Sequence, residues 1–164
     1  MKGNGERYGC EKTLSLSGGF GRLQRRLPTA ECEYGCVACG LCVGVCKFDA
    51  IEINDLGVAQ VNESKCIACG ACVRECPREL IRIHECANPI VVKCSNKDLG
   101  KNARKYCEVS WIGCGICEKV CPAGAITISE NLSHIDKNYC LSCGQCAVKC
   151  PRGAIADLRG ILTD

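Results

Sequence analysis

The sequence predicts an α+β fold made of two tandem copies of one small module, and three observations predict it. Cysteine supplies 20 of the 164 residues while aromatic residues supply only 4%, so the cores are thin and need staples other than large side chains. The cysteines fall into four regularly spaced runs. Shifting the chain by 74 or 75 residues lays the first pair of runs on the second, Cys66 on Cys140 and Cys39 on Cys114. Between the runs lie short stretches in which apolar and polar residues alternate, as they do in half-buried strands.

Residues 1–29 form a Gly/Arg-rich leading segment (Ser17-Gly-Gly-Phe-Gly, then Arg25-Arg-Leu-Pro) with weak periodicity, read as loop-rich. Module one covers 30–84. It opens on Cys36-x2-Cys39-x2-Cys42-x3-Cys46, and Val43-Gly-Val between the last two cysteines fits one helical turn. Ala50-Ile-Glu-Ile-Asn reads as a strand, Asp55-Leu-Gly57 as a turn and Val58-Ala-Gln-Val as a second strand. The second run follows, Cys66-x2-Cys69-x2-Cys72-x3-Cys76-Pro77.

A bridge of residues 85–104 leads to module two, 105–159, and residues 160–164 form a tail. The third run is Cys114-x2-Cys117-x3-Cys121-Pro122, with Trp111 at the place of a first cysteine. Glu118-Lys-Val fits a helical turn, and Ala125-Ile-Thr-Ile-Ser and Leu132-Ser-His-Ile flank a turn at Glu130-Asn131. The fourth run is Cys140-x2-Cys143-x2-Cys146-x3-Cys150-Pro151.

Cysteine usage of about 12% restricts the chemistry to a disulfide scaffold or a metalloprotein. The first residues carry charge with no apolar stretch behind them, so no secretory signal is expected, and a reducing cytoplasmic setting keeps thiols free for metal. Nor does any stretch reach the roughly 18 apolar residues of a spanning helix. Zinc takes pairs of C-x2-C knuckles and only four ligands; a triple C-x2-C-x2-C with C-P behind it is far more specific. Cys32-x3-Cys36-x2-Cys39 matches the triplet of radical-SAM enzymes, but repeated short modules leave no space for the barrel that chemistry requires.

Cysteines at i, i+3 and i+6 wrap a loop around one object, while the fourth, at i+10 and followed by proline, lies past a helical turn and faces away. This is the pattern of bacterial two-cluster ferredoxins, which each module resembles, and there the fourth cysteine ligates the other cluster. The resemblance assigns Cys36, Cys39, Cys42 and Cys76 to one 4Fe–4S cluster and Cys66, Cys69, Cys72 and Cys46 to a second. Cys140, Cys143, Cys146 and Cys121 hold another, and Cys114, Cys117 and Cys150 hold a fourth that lacks one ligand. That last site is dead, three-iron, or rescued by Cys107, which precedes Cys117 by the offset at which Cys32 precedes Cys42. About four 4Fe–4S clusters are therefore expected.

Those four clusters would move the formal charge of +3, which counts every thiol as neutral, to about −5. Lys and Arg thus compensate cluster charge, and nucleic-acid binding is not expected. The basic stretch Lys97–Lys105 reads as a solvated face that can attract an acidic redox partner. Cys10, Cys86 and Cys94 have no assigned role, and His84 and His134 read as surface residues.

Over a longer span the chain resembles the polyferredoxin region of the ferredoxin-bearing, electron-input subunit of the Rnf ion-translocating electron transport complex. The residues that carry this are Cys32-Glu-Tyr-Gly-Cys36, the second run, Cys94-Ser-Asn-Lys-Asp-Leu-Gly-Lys101, Arg104-Lys-Tyr-Cys107, Ile112-Gly-Cys114 and the last run, with Tyr8, Cys10 and Gly18-Gly19 a fainter likeness. It does not extend to the membrane-anchoring helix and further iron–sulfur domain with which that subunit normally begins. Lys47 stands where proline usually follows the first run. That family often lacks cysteine at the place of Cys39, which makes Cys32 an alternative ligand in the first run, and often has cysteine at the place of Trp111.

The resemblance implies tandem ferredoxin modules passing single electrons to redox partners or complex subunits. No catalytic site is implied, and membrane association, at the cytoplasmic face, comes only through partner subunits. The competing expectation is an electron-wiring subunit of a soluble multisubunit oxidoreductase.

Overall fold

The computed structural model describes residues 32–85 and 87–162 in full, together with the backbone of 13–16. Cys10, Cys86 and the Gly/Arg-rich stretch lie outside the described residues, as do Tyr8 and Gly18-Gly19.

Each cysteine run folds as a curl followed by about one helical turn. In the first run Ala38 (φ 52°) and Gly40 (φ 77°) are both left-handed, and α1 (Leu41–Gly44) starts directly after them. The second run repeats this with Ala68 (φ 55°), Gly70 (φ 74°) and α2 (Ala71–Glu75). In the fourth run Ser142 and Gly144 precede α5 (Gln145–Val148), and in the third Gly113 and Gly115 precede α4 (Ile116–Lys119). Each helix begins one residue before the third cysteine, so that sulfur is carried on the helix and the fourth cysteine follows its end. A further helix, α3 (Gly100–Tyr106), ends at Cys107, whose backbone is extended.

The strands form four antiparallel pairs. β1 (Thr13–Leu16) pairs with β4 (Ile81–His84), β2 (Ile51–Ile53) with β3 (Ala59–Val61), β5 (Ile90–Val92) with β8 (Ile155–Asp157), and β6 (Ile126–Ser129) with β7 (Leu132–Ile135). The two hairpins, β2–β3 and β6–β7, are the ones the alternating patterns predict. Glu130 (φ 47°) and Asn131 (φ 58°) are both left-handed, which gives the second hairpin the tight turn whose twist suits antiparallel strands.

The other two pairs join residues far apart in sequence. Strand β1 comes from the leading segment expected to be loop-rich, and β5 from the bridge. Each module thus combines a hairpin, two helical turns and a second two-stranded sheet, and a shared α+β architecture is seen twice. His84 is half-buried, a correction to its reading as a surface residue. It ends β4 opposite Thr13 of β1, its Nδ1 is shielded from solvent, and burial together with the charges of Lys137 and Arg82 holds the imidazole below its ordinary value. His134 is exposed.

Two cores result, and cysteine occupies both. In module one Cys42 and Cys72 pack with Ile51, Ala59 and Ile81. In module two Cys117 and Cys146 pack with Ile90, Trp111, Ile126, Ala147, Ala154 and Ile155. Helix α1 packs against α2 and α4 against α5, which brings the two runs of each module face to face.

The repeat also exposes why one position departs from it. Ala38, Ala68 and Ser142 adopt a left-handed conformation that costs an L-residue about 1–2 kcal/mol; the equivalent residue of the third run is Gly113. A Cβ on Gly113 would come within 2.1 Å of Asn131 Oδ1, and Asn131 is fixed because its Nδ2 donates to the carbonyls of Lys97 (3.1 Å) and Asp98 (2.6 Å). Gly113→Ala is therefore expected to destabilise by about 2 kcal/mol or more, from strain plus the displaced hydrogen bonds. Gly57→Ala, equally left-handed but with no atom near the new methyl, should lose only about 1 kcal/mol. Denaturant melts of the two variants check this; equal losses would contradict the close approach of Asn131.

Candidate metal centres

The four runs share one gradient of exposure. The third cysteines, Cys42, Cys72, Cys117 and Cys146, are 2–7% exposed, because each sits on a helical turn facing the core. The cysteines three residues earlier, Cys39, Cys69, Cys114 and Cys143, are exposed, and the remaining run cysteines lie between these limits. Each run therefore spans from core to surface.

Around the first run the sulfur-bearing residues line one cavity of about 470 Å³, part of it open to solvent. Cys36, Cys39 and Cys42 form one side; Cys76, arriving from the second run, forms another, with Ile53, Val58 and Ile81 as apolar wall. The Cys42 thiol is pushed up by burial and further by the charges of Cys36, Cys39 and Cys76. A second cavity, about 310 Å³, is lined by Cys140, Cys143, Cys146 and by Cys121 from the third run, against Ile90 and Ile126. Burial, with the charges of Cys140 and Cys121, pushes Cys146 up to about 11. Burial raises Cys72 as well, and so do Cys66 and Cys69. Cys46 packs against the same core as Cys72.

In the third run Cys117 is raised by burial and by the charges of Cys114 and Cys150, and its Sγ lies 3.7 Å from Ser133 Oγ. Trp111 is 2% exposed and its indole N–H has no acceptor among the described residues. Cys107 sits where its charge is felt by Cys32 and by Cys94. The cavity of the first run is lined by Cys36, Cys39, Cys42 and Cys76, and Cys32, the alternative ligand of that run, is not among its lining residues.

Among the described residues no group of three or more His, Cys, Asp or Glu side chains is gathered to hold a metal ion; the chemistry of the donors present fits a sulfur-bound group. The donors are all soft thiols, spread around cavity walls, the ligand type that selects iron–sulfur clusters. Each run has a left-handed residue on either side of its exposed cysteine, and turned backbone of this kind can form anion-binding concavities. Backbone N–H groups already meet sulfur: Ala50 to Cys46 (3.4 Å), Ala68 to Cys66 (3.4 Å) and Ala125 to Cys121 (3.3 Å).

The profile of a known family, described as a 4Fe–4S dicluster domain, matches residues 35–80 and again 112–154. The chain belongs to the 4Fe–4S dicluster family. Iron–sulfur binding and an electron-carrying role follow from that membership. The chain is also similar to the equivalently named subunit of three complexes. It is 39% identical over 138 residues to that of the Na(+)-translocating ferredoxin:NAD(+) oxidoreductase complex of Acetobacterium woodii, covering 82% of this chain and 39% of that protein. It is 41% identical over 109 residues to that of the ion-translocating oxidoreductase complex of Methanosarcina acetivorans, covering 66% of this chain and 41% of the relative. It is 42% identical over 111 residues to that of the proton-translocating ferredoxin:NAD(+) oxidoreductase complex of Clostridium ljungdahlii, covering 68% and 39%. The chain spans about two fifths of the length of these relatives. Among solved structures, a chain of the formate dehydrogenase–heterodisulfide reductase–formylmethanofuran dehydrogenase complex from Methanospirillum hungatei aligns with 74% of this chain and 51% of its own, at 21% identity and a TM-score of 0.29, too low to carry an argument. No helix among the described residues is long and apolar enough to cross a membrane.

The dicluster runs were legible from spacing alone; the residues that shape them were less so. The left-handed Ala38, Ala68 and Ser142 carry no sequence signal beyond their place in the repeat. Arg78 and Arg152, each two residues after a run's last cysteine, reach the carbonyls of Glu33 and Cys107, and only the Cys-Pro-Arg triplet shared by both runs hinted at this.

The raised thiols give a sign for pH. An acid held above its unfolded value of 9.0 favours the folded metal-free chain below pH 9, and that contribution is lost as pH rises towards the folded value, about 11 for Cys146. Metal needs the thiolate, so binding must expel these protons and strengthens as pH rises. Iron retention against a chelator, corrected for the chelator's own protonation, is expected to increase from about pH 7 to about pH 9. A flat profile would mean that the thiols are not the ligands.

Proposed function

We propose that this chain relays single electrons along four 4Fe–4S clusters as the polyferredoxin part of an Rnf-like ion-translocating electron transport complex. The observation that supports this most directly is the agreement between two cavities and two cross-run cysteine sets. Cys36, Cys39 and Cys42 meet Cys76 in one, and Cys140, Cys143 and Cys146 meet Cys121 in the other. The remaining sets are Cys66, Cys69, Cys72 with Cys46, and Cys114, Cys117 with Cys150. For the last, Cys107 is the ligand that the repeat offset nominates. The similarity to one subunit in each of three oxidoreductase complexes named as ion-, Na(+)- or proton-translocating supports the assembly.

When bound, the clusters supply the one-electron chemistry; the chain supplies position, insulation and polarity. The buried third cysteine of each run anchors one corner in the core, where water is excluded. Backbone N–H groups directed at sulfur stabilise the more negative state and so raise the reduction potential. The exposed cysteines Cys39, Cys69 and Cys143 mark the thin wall through which a partner comes close. Beside them stand exposed apolar residues, Val37, Ile67 and Leu141, suited to a transient redox contact. Membrane association would come through partner subunits, with the chain on the cytoplasmic face.

Anaerobic purification should yield about 16 iron and 16 sulfide per chain, with low-potential EPR signals after reduction. Zinc in place of iron, or about four iron in total, would overturn the reading. Co-purification with membrane subunits is expected from the organism's own extract; a soluble flavin or molybdenum partner in their place would favour the soluble oxidoreductase instead.

A further inference from the structure

The two modules differ most where their third-run and first-run sites are compared. The shift that lays Cys39 on Cys114 and Cys42 on Cys117 lays Cys36 on Trp111. An indole thus stands where the first run places a sulfur. It is the chain's single tryptophan, 2% exposed, in the same buried core as Cys117.

The polar groups around this position are accounted for, with one exception. The backbone N–H of Trp111 donates to Cys94 Sγ at 3.2 Å, and the hydroxyl of the buried Ser110 donates to the Cys107 carbonyl at 3.0 Å. The indole N–H is shielded from solvent and has no acceptor among the described residues. Buried donors in native chains are paired, because leaving one unmade costs more than the bond contributes. The side chains of this core are largely hydrocarbon, Ile90, Ile126 and Ile155 among them. The acceptors they offer are sulfurs: Cys117 and Cys146, with Cys121 and Cys150 packed against them.

A second donor is independent of the first. Ser133 on β7 is 6% exposed, and its Oγ lies 3.7 Å from Cys117 Sγ. Metal-bound sulfur carries no proton, so the hydroxyl is the donor once Cys117 is a ligand. Ser133 pairs with Ile128 across its hairpin as Ala59 pairs with Ile53 in the other module. Ala59 packs in the core with Cys42 and has no polar group to offer. Module one therefore has Cys36 and Ala59 where module two has two side-chain donors.

We propose that the indole N–H of Trp111 and the hydroxyl of Ser133 donate to the sulfurs of the third-run cluster and make it more readily reduced than its first-run counterpart. This rests on the four-cluster reading above. Hydrogen bonds to cluster sulfur favour the state with the added negative charge. Neither donor gives up its hydrogen; the electron arriving from a neighbouring cluster, oxidised by one as this one is reduced, is all that moves. Trp111 and Ser133 are positioning residues for charge, and they mark the third run as the place where an electron comes to rest.

The test uses the full chain, purified without oxygen and titrated reductively with EPR detection. Trp111→Phe keeps the apolar ring and removes the N–H. At unchanged iron content it is expected to lower the reduction equilibrium constant of one cluster about tenfold, equal to about 59 mV for one electron, and to leave the others in place. The cluster that shifts is the one that Cys117→Ser removes. Ser133→Ala should lower the same cluster by less, and the double variant by more than either. Potentials unmoved in Trp111→Phe, or a shift in a cluster that survives Cys117→Ser, would overturn the proposal. A wild-type measurement covers a variant that loses its cluster. Feeding 15N-indole labels the one tryptophan nitrogen, and pulsed EPR of the reduced chain is expected to show its coupling to a cluster; no coupling refutes the bond. About 12 iron per chain, none of it lost in Cys117→Ser, would mean an empty third run and would remove the donors' role while three clusters stand. A wild-type chain without iron fails the four-cluster reading itself.

Discussion

Sulfur stands in the two cores where a domain of this size would ordinarily place large apolar side chains. Cys42 and Cys72 are buried in one module, Cys117 and Cys146 in the other, and the chain has a single tryptophan and two phenylalanines to add. Burial opposes ionisation of these thiols, and neighbouring thiols oppose it further. Metal binding would have to expel these protons, so loading is expected to be coupled to folding. Two cavities are each lined by four run cysteines, three from one run and one from its partner run.

The backbone answers that need twice in each run. A left-handed residue, then one residue later a left-handed glycine, curl the loop, and one helical turn then carries the third cysteine into the core. Three runs accept the strain of a left-handed Ala or Ser, which persists only where surroundings over-determine it. The third run is released from that strain by Gly113, but only because Asn131 leaves no space for a side chain there. Helix α1 packs on α2 and α4 on α5, and exchange of the fourth cysteine between paired runs, as proposed above, would tie each pair more firmly. Two arginines add a third level, Arg78 reaching the carbonyl of Glu33 and Arg152 that of Cys107.

Much of this was legible in the sequence, for a physical reason. Metal-ligand spacing and hairpin alternation are local: Cys36 to Cys46, or Ile51 to Val61, are settled within about ten residues, and the repeat confirms each by its copy. The pairings β1–β4 and β5–β8 were not legible, since they join Thr13 to His84 and Ile90 to Asp157, and three- or four-residue strands carry too little pattern to announce distant partners. The half-burial of His84 was hidden for the same reason. Cys94 was visible as a cysteine, but nothing local announced that the N–H of Trp111, 17 residues on, would reach its sulfur.

Anomalous diffraction at the iron absorption edge, from crystals grown without oxygen, tests the central claim that cysteines are shared between paired runs. The account predicts iron density enclosed by Cys36, Cys39, Cys42 and Cys76, and again by Cys140, Cys143, Cys146 and Cys121, with each fourth sulfur arriving from the other run. Iron bound instead by the four cysteines of a single run, with Cys76 joined to Cys66, Cys69 and Cys72, would contradict it, as would a signal at the zinc edge alone.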